Sequence, residues 1–128
     1  NQNQRITPVP PGIHGLSNHL MDTPWPKVTA GKAALATAID TDNLTPATLF
    51  ELLSDSAKPH DNRLPDTGVG LEWERILSPL FIKSPSYGTR SSIVMGITPQ
   101  GEFRVTERTY FPDGIPPHKD RYFSLFPG

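Results

Sequence analysis

Apolar and polar residues alternate with period two across residues 87–111 more regularly than anywhere else in the chain. Ser91-Ser92-Ile93-Val94-Met95-Gly96-Ile97 is β-branched and apolar, Pro99-Gln100-Gly101 has turn chemistry, and Phe103-Arg104-Val105-Thr106-Glu107 returns with the same alternation. This is the signature of a β-hairpin. With the turn centred on Gln100, antiparallel geometry predicts partners whose residue numbers sum to about 200. That register puts Ile93, Met95, Ile97, Phe103 and Val105 on one face and Arg90, Ser92, Thr98, Arg104, Thr106 and Arg108 on the other, which predicts a dry side and a polar, basic side. Glu107 falls on the dry side, where an unpaired carboxylate is costly to bury. It is expected either to reach solvent at a frayed strand end or to meet a cation.

Helical patterns precede the hairpin. Residues 26–39 are alanine-rich with Val28, Leu35 and Ile39 available for burial; Pro26 suits a first helical turn, and Thr23 or Asp22 lies near the expected cap. Asn43-Leu44-Thr45-Pro46 is a stronger start signal, with Thr45 as cap, Pro46 at the first position and Leu44 placed to staple onto Leu49. A helix over 46–54 follows, burying Leu49, Phe50, Leu52 and Leu53. The helical region 26–54 gives way to a polar loop over 55–70, broken by Pro59, Pro65, Gly68 and Gly70. Residues 71–77 predict a short helix with Trp73, Ile76 and Leu77 inward and Glu72, Glu74 and Arg75 outward, ended by Pro79. Leu80-Phe81-Ile82 is a strand or a core anchor, and a proline-rich loop over 113–120 leads to a last strand over 121–126. At the front, residues 1–12 form a connector; residues 13–18 predict a short strand ending in a turn, with Gly15 allowing close backbone approach. There is no internal repeat. The pattern defines an α+β fold, an antiparallel sheet with packed helices.

Composition narrows the function classes. Twelve Lys and Arg against thirteen Asp and Glu in 128 residues argue for one domain without a general nucleic-acid or anionic-membrane surface. No apolar run approaches the roughly 18 residues of a spanning helix and no signal-peptide pattern opens the chain, so a soluble, cytoplasmic protein is expected. Cysteine is absent, which removes disulfides, thiol nucleophiles and thiolate metal sites from these residues. Fifteen prolines, clustered at segment borders, imply many rigid loops.

Neither Gly-x-x-x-x-Gly-Lys-Ser nor Gly-x-Gly-x-x-Gly occurs. His14 and His19 are five apart, which is not a chelating spacing on a helix, and no metal site is expected. In Gly15-Leu16-Ser17-Asn18, an Asn after a glycine can offer its amide to an oxyanion while the backbone comes close; a simple turn uses the same residues. Ser17 lacks the flanks of a Gly-x-Ser-x-Gly nucleophile. Arg90, at a strand start within Tyr87-Gly88-Thr89-Arg90-Ser91-Ser92, can hold a carboxylate or phosphate in its planar fork or make a structural ion pair. Leu64-Pro65-Asp66-Thr67-Gly68 is a turn with an exposed acid.

Taken together, Gly12-Ile13-His14-Gly15-Leu16-Ser17-Asn18, Asp22-Thr23-Pro24-Trp25-Pro26-Lys27-Val28, Leu64-Pro65-Asp66-Thr67-Gly68, Tyr87-Gly88-Thr89-Arg90-Ser91-Ser92 and Glu107-Arg108 resemble the transport-and-Golgi-organisation protein 2 family. It is also called the NRDE family, after an Asn-Arg-Asp-Glu signature. The resemblance covers residues 11–111 and matches the C-terminal part of a single family domain; the family's opening, with a cysteine after the initiator Met and the signature downstream, has no counterpart here. What it implies is part of an αββα sandwich similar to N-terminal-nucleophile hydrolases, in which an N-terminal Cys, Ser or Thr attacks an amide. Residues 87–111 would supply central strands, Asn18 the oxyanion donor and Arg90 a site-facing guanidinium. The resemblance also implies links to haem trafficking and to lipid or acyl-CoA homeostasis. The leading expectation is therefore a binding and trafficking protein whose cleft, lined by Asn18, Trp25 and Arg90, holds a hydrophobic carboxylate such as haem. The alternatives are a cysteine amidohydrolase whose nucleophile lies in the N-terminal part, and a structural or partner-binding domain. The expected partner is the N-terminal part of the same protein, without which open sheet edges would be prone to aggregate.

Overall fold

The computed structural model describes residues 6–126. Among them, helices α1 (Pro26–Asp40), α2 (Pro46–Leu53) and α3 (Leu71–Leu77) precede strands β1 (Ser91–Ile97), β2 (Phe103–Tyr110) and β3 (His118–Leu125). The strands form one antiparallel sheet in the order β1-β2-β3, giving an α+β fold. No helix among the described residues is long and apolar enough to cross a membrane.

Local chemistry explains the helix starts. Pro26 begins α1 as its spacing predicts, but the capping residue is Trp25, and no side chain caps the helix. Asp22 and Thr23 are committed elsewhere: the Asp22 carboxylate is held by His14, Lys32 and the Gly15 N–H, and the Thr23 hydroxyl donates to the Leu20 carbonyl. In α2 the expected cap forms, Thr45 Oγ1 accepting from the Thr48 N–H at 3.1 Å, whereas Leu44 stays exposed. The sidedness of α3 differs from expectation. Glu74 is buried, and Leu71 and Trp73 remain about half exposed. The reason is the turn before it, which folds back so that Thr67 donates to Glu74 Oε1 from both its N–H (2.7 Å) and its hydroxyl (2.6 Å). A carboxylate that accepts two hydrogen bonds can lie inside a short helix.

The hairpin register runs from Ser91 opposite Thr109 to Ile97 opposite Phe103, as the turn position predicts. Its faces are used the other way round. The helix layer packs on the polar side, where Thr106 is buried, Tyr110 meets Phe81 edge-on at 4.7 Å, and the Arg108 guanidinium lies 4.1 Å from the Phe50 ring centroid. Arg108 can line a covered face because Asp120, its neighbour across the ladder, binds it with two 2.8 Å hydrogen bonds while its flat guanidinium stacks on the aromatic ring. The expected dry side is open: Met95 and Ile97 are 65% and 71% exposed, and Phe123 and Leu125 extend the same face. Alternation fixes which residues share a face, not which face is covered first. On that open face Glu107 is half-buried, and the register places Arg121 directly across from it.

The remaining segments serve as ties. Residues 13–18 form no strand; they run as a loop closed by Asp22 N–H to the Gly15 carbonyl at 2.7 Å. Leu80-Phe81-Ile82 is an anchor rather than a strand, with Phe81 buried and its N–H on the Asp55 carbonyl. The last strand starts at His118, earlier than its aromatic content suggests, because pairing with Tyr110 extends the ladder. Val28, Ala38, Phe50 and Phe81 are the buried apolar centre.

Candidate functional site

Residues 13–22 and helix α1 build one side of a cleft, and Asp22 organises both. Its backbone is left-handed at φ 60°, a conformation that Asp tolerates better than most residues. One carboxylate oxygen accepts from Lys32 Nζ at 2.6 Å and from the Gly15 N–H at 3.0 Å; the other meets His14 Nδ1 at 2.6 Å. His14 Nε2 lies 2.9 Å from the Pro10 carbonyl. Both ring nitrogens thus face acceptors, which only the doubly protonated imidazolium satisfies. The Gly15 position admits no side chain, since a Cβ there would stand 2.7 Å from Val28 Cγ1.

Between this loop, α1, α2 and β1 lies a cavity of about 600 Å³. Val28 and Leu35 of α1, Leu49 and Leu52 of α2, and Val94 of β1, which points to the helix-covered face, make it apolar. The sheet order leaves the outer edge of β1 unpaired within the described residues, and β1 borders the cavity through Ile93, Val94 and Met95. Its polar lining includes His14, Asn18, Lys27 and Lys32. Lys27 Nζ donates to the Leu77 carbonyl at 3.0 Å, and burial pushes its pKa down, partly offset by the Glu74 carboxylate. The site can therefore enclose apolar bulk and meet an anion with ammonium and amide donors.

Hydrogen bonds set the protonation of the cluster. The Asp22 carboxylate and then the Pro10 carbonyl raise the His14 pKa above its ordinary 6.5. His14 and Lys32, then the Gly15 N–H, hold Asp22 far below its ordinary 3.8. A group whose pKa rises on folding stabilises fully below its unfolded value, so the His14 contribution is present below 6.5 and is lost as pH rises through the raised value. Asp22 behaves oppositely: its contribution is present above 3.8 and fades as pH falls through the depressed value. In an NMR titration the His14 ring is expected to titrate above 6.5, and Asp22→Asn is expected to bring it back down. An unchanged His14 titration in that variant would dissociate the two groups.

Of the residues singled out in the sequence, Asn18 borders the cavity. Trp25 does not; it caps α1, tilts against His19 at a ring separation of 5.7 Å and lies 6.0 Å from Lys27 Nζ. Arg90 is exposed just before β1, outside the cavity lining, and its carbonyl accepts from the Tyr110 N–H at 2.9 Å. His14, Asp22, Lys27 and Lys32 were not foreseen as a cluster. One signal was present: Val28, Lys32 and Leu35 share a helix face by their spacing. The seven-residue loop that returns Asp22 to Gly15 has no comparable signature.

Fold and site together define an α+β domain with a cationic, apolar cleft at an open sheet edge. Residues 1–112 match the family Transport and Golgi organisation 2, and the chain belongs to that family. Among its curated relatives, the Transport and Golgi organization protein 2 homolog of Homo sapiens is 29% identical over 107 residues and that of Bos taurus 31% identical over 111. The Transport and Golgi organization 2 homolog of Mus musculus is 28% identical over 107 residues. Each comparison covers 77% of this chain and 39% of the relative. β3 lies beyond the family match.

Proposed function

We propose that this chain forms one wall of a binding and trafficking site for a hydrophobic carboxylate such as haem. The observation that carries the reading is the roughly 600 Å³ apolar cavity with His14, Lys27 and Lys32 in its lining. Against these three cations stand the Asp22 carboxylate, on His14 and Lys32, and Glu74, which acts on Lys27, so the cluster retains one positive charge for a ligand carboxylate. Asn18 adds an amide donor. Arg90 and Trp25 lie outside the cavity and would contact only a ligand that extends beyond it. The test is a haem titration of the complete polypeptide followed in the Soret band. A saturable shift is expected, with Lys32→Ala weakening binding about tenfold, the effect of losing one charge-assisted hydrogen bond. An unchanged spectrum at saturating haem would remove the reading.

The same reading assigns the open sheet face a partner, the N-terminal part of the same protein. Met95, Ile97, Phe123 and Leu125 present an exposed apolar surface beside the unpaired edge of β1, and the chain spans 39% of the length of its relatives. A second sheet laid on that face would complete an αββα sandwich of the N-terminal-nucleophile kind.

One observation favours a second reading, a cysteine amidohydrolase: Asn18 shares the cavity with β1 and so can serve a substrate carbonyl bound there. The chain contains no cysteine, so the nucleophile would come from the N-terminal part. Asn18→Ala is then expected to lower amide turnover by about 10²–10³, as for other oxyanion donors. Turnover indifferent to the substitution would deny Asn18 that role.

A further inference from the structure

On another side of α1 lies a second, smaller groove of about 310 Å³, bounded by Ala30 and Ala33, by Lys27, Lys58 and Arg63, and by Asp55. The loop over 55–70 supplies Lys58 and Arg63, and the ion pair between Arg75 and Asp61 fixes it in place. Because Arg75 holds Asp61, that acid does not neutralise the groove. Asp55 accepts from the Ala57 N–H at 2.9 Å, and among the described residues neither Lys58 nor Arg63 has a carboxylate within ion-pair distance. Lys58 and Arg63 are thus two cations without an ion pair in a chain whose net charge is −1, while the Glu74 carboxylate already acts on Lys27. Ala30, Ala33 and Ala57 keep the walls small, and the Thr29 hydroxyl adds a donor.

We propose that this groove is a binding site for a phosphate monoester. This pair of cations is what selects the ligand class. A monoester carries close to two negative charges at neutral pH and offers three acceptor oxygens, whereas a carboxylate would leave one cation unmatched. Arg63 can take two of those oxygens through its planar fork, and Lys58 supplies a flexible point charge. Burial that disfavours the charged form of Lys27 is offset when a dianion lies nearby. The site is separate from the carboxylate cleft except for Lys27, which borders both.

The test is calorimetric titration of the complete polypeptide at fixed ionic strength with phenyl phosphate, and with benzoate as a monoanion of the same ring. Phenyl phosphate is expected to bind saturably at one per chain and benzoate at least about tenfold more weakly. Lys58→Ala and Arg63→Ala are each expected to weaken phenyl phosphate roughly tenfold, the effect of losing a charged hydrogen bond. Both side chains are exposed, so their loss leaves the fold intact, and Lys32→Ala serves as the control that leaves affinity unchanged. Binding of sn-glycerol 3-phosphate would assign the monoester to a free metabolite; variant-sensitive binding only to vesicles containing phosphatidic acid would assign it to a lipid headgroup. No saturable binding, benzoate binding of equal affinity that Lys58→Ala and Arg63→Ala weaken alike, or an unchanged phenyl phosphate affinity in the Lys58→Ala/Arg63→Ala double variant would overturn the proposal. Haem binding is indifferent to each of these outcomes.

Discussion

Phe50→Ala is expected to destabilise the protein by about 3–5 kcal/mol, the usual range for emptying a buried aromatic site. Phe50 is 1% exposed, the most deeply buried large side chain described. It belongs to a small apolar centre with Val28, Ala38 and Phe81, so few neighbours can close around the space it leaves. Its loss acts twice. The ring also supports the Arg108 guanidinium at 4.1 Å, and without it the Arg108–Asp120 pair faces a void instead of an aromatic surface. Urea unfolding of the complete polypeptide is the measurement. Phe50→Leu, which keeps most of the volume, is expected to lose much less, and a loss under about 1 kcal/mol for Phe50→Ala would show that α2 is not what holds the helix layer to the sheet.

Gly15→Ala is expected to cost about 1–3 kcal/mol, as overpacking does in a filled region. The added methyl would stand 2.7 Å from Val28 Cγ1, closer than nonbonded carbons approach, and Val28 is itself buried in α1. Rotating Val28 is a poor remedy because β-branched residues in helices are nearly confined to one rotamer. The alternative is to move residues 13–18 away from α1, which would weaken the Gly15 N–H bond to Asp22 and with it the cluster lining the cleft. Val28→Ala removes the obstructing methyl, so the double variant is expected to be more stable than the sum of the two single losses implies. Strict additivity would mean that the two residues do not meet.

Much of the fold was legible because local chemistry decided it. Thr45-Pro46 fixed the start of α2, Pro26 that of α1, and the turn at Pro99-Gln100-Gly101 fixed the hairpin register to the residue. What stayed hidden depended on partners distant in sequence. Nothing in residues 91–107 shows that Arg108 is neutralised by Asp120 and carried on Phe50, yet those contacts decide which sheet face the helices cover. Glu74 read as an outward acid because Thr67, which holds it inside, sits in a turn before the helix. In the site, Asn18 was visible from its glycine-preceded turn, and it borders the cavity. The His14–Asp22–Lys32 cluster was not, since it spans a loop and a helix and requires Asp22 in a left-handed conformation.

The most direct measurement of the proposed function is amide hydrogen exchange of the complete polypeptide with and without haem. Protection is expected to concentrate in residues 13–18, the cavity face of α1 around Val28 to Leu35, and β1 beside Ile93 to Met95, with β3 unaffected. Haem-dependent protection confined to other segments, or none at haem saturation, would contradict the cleft as the binding site.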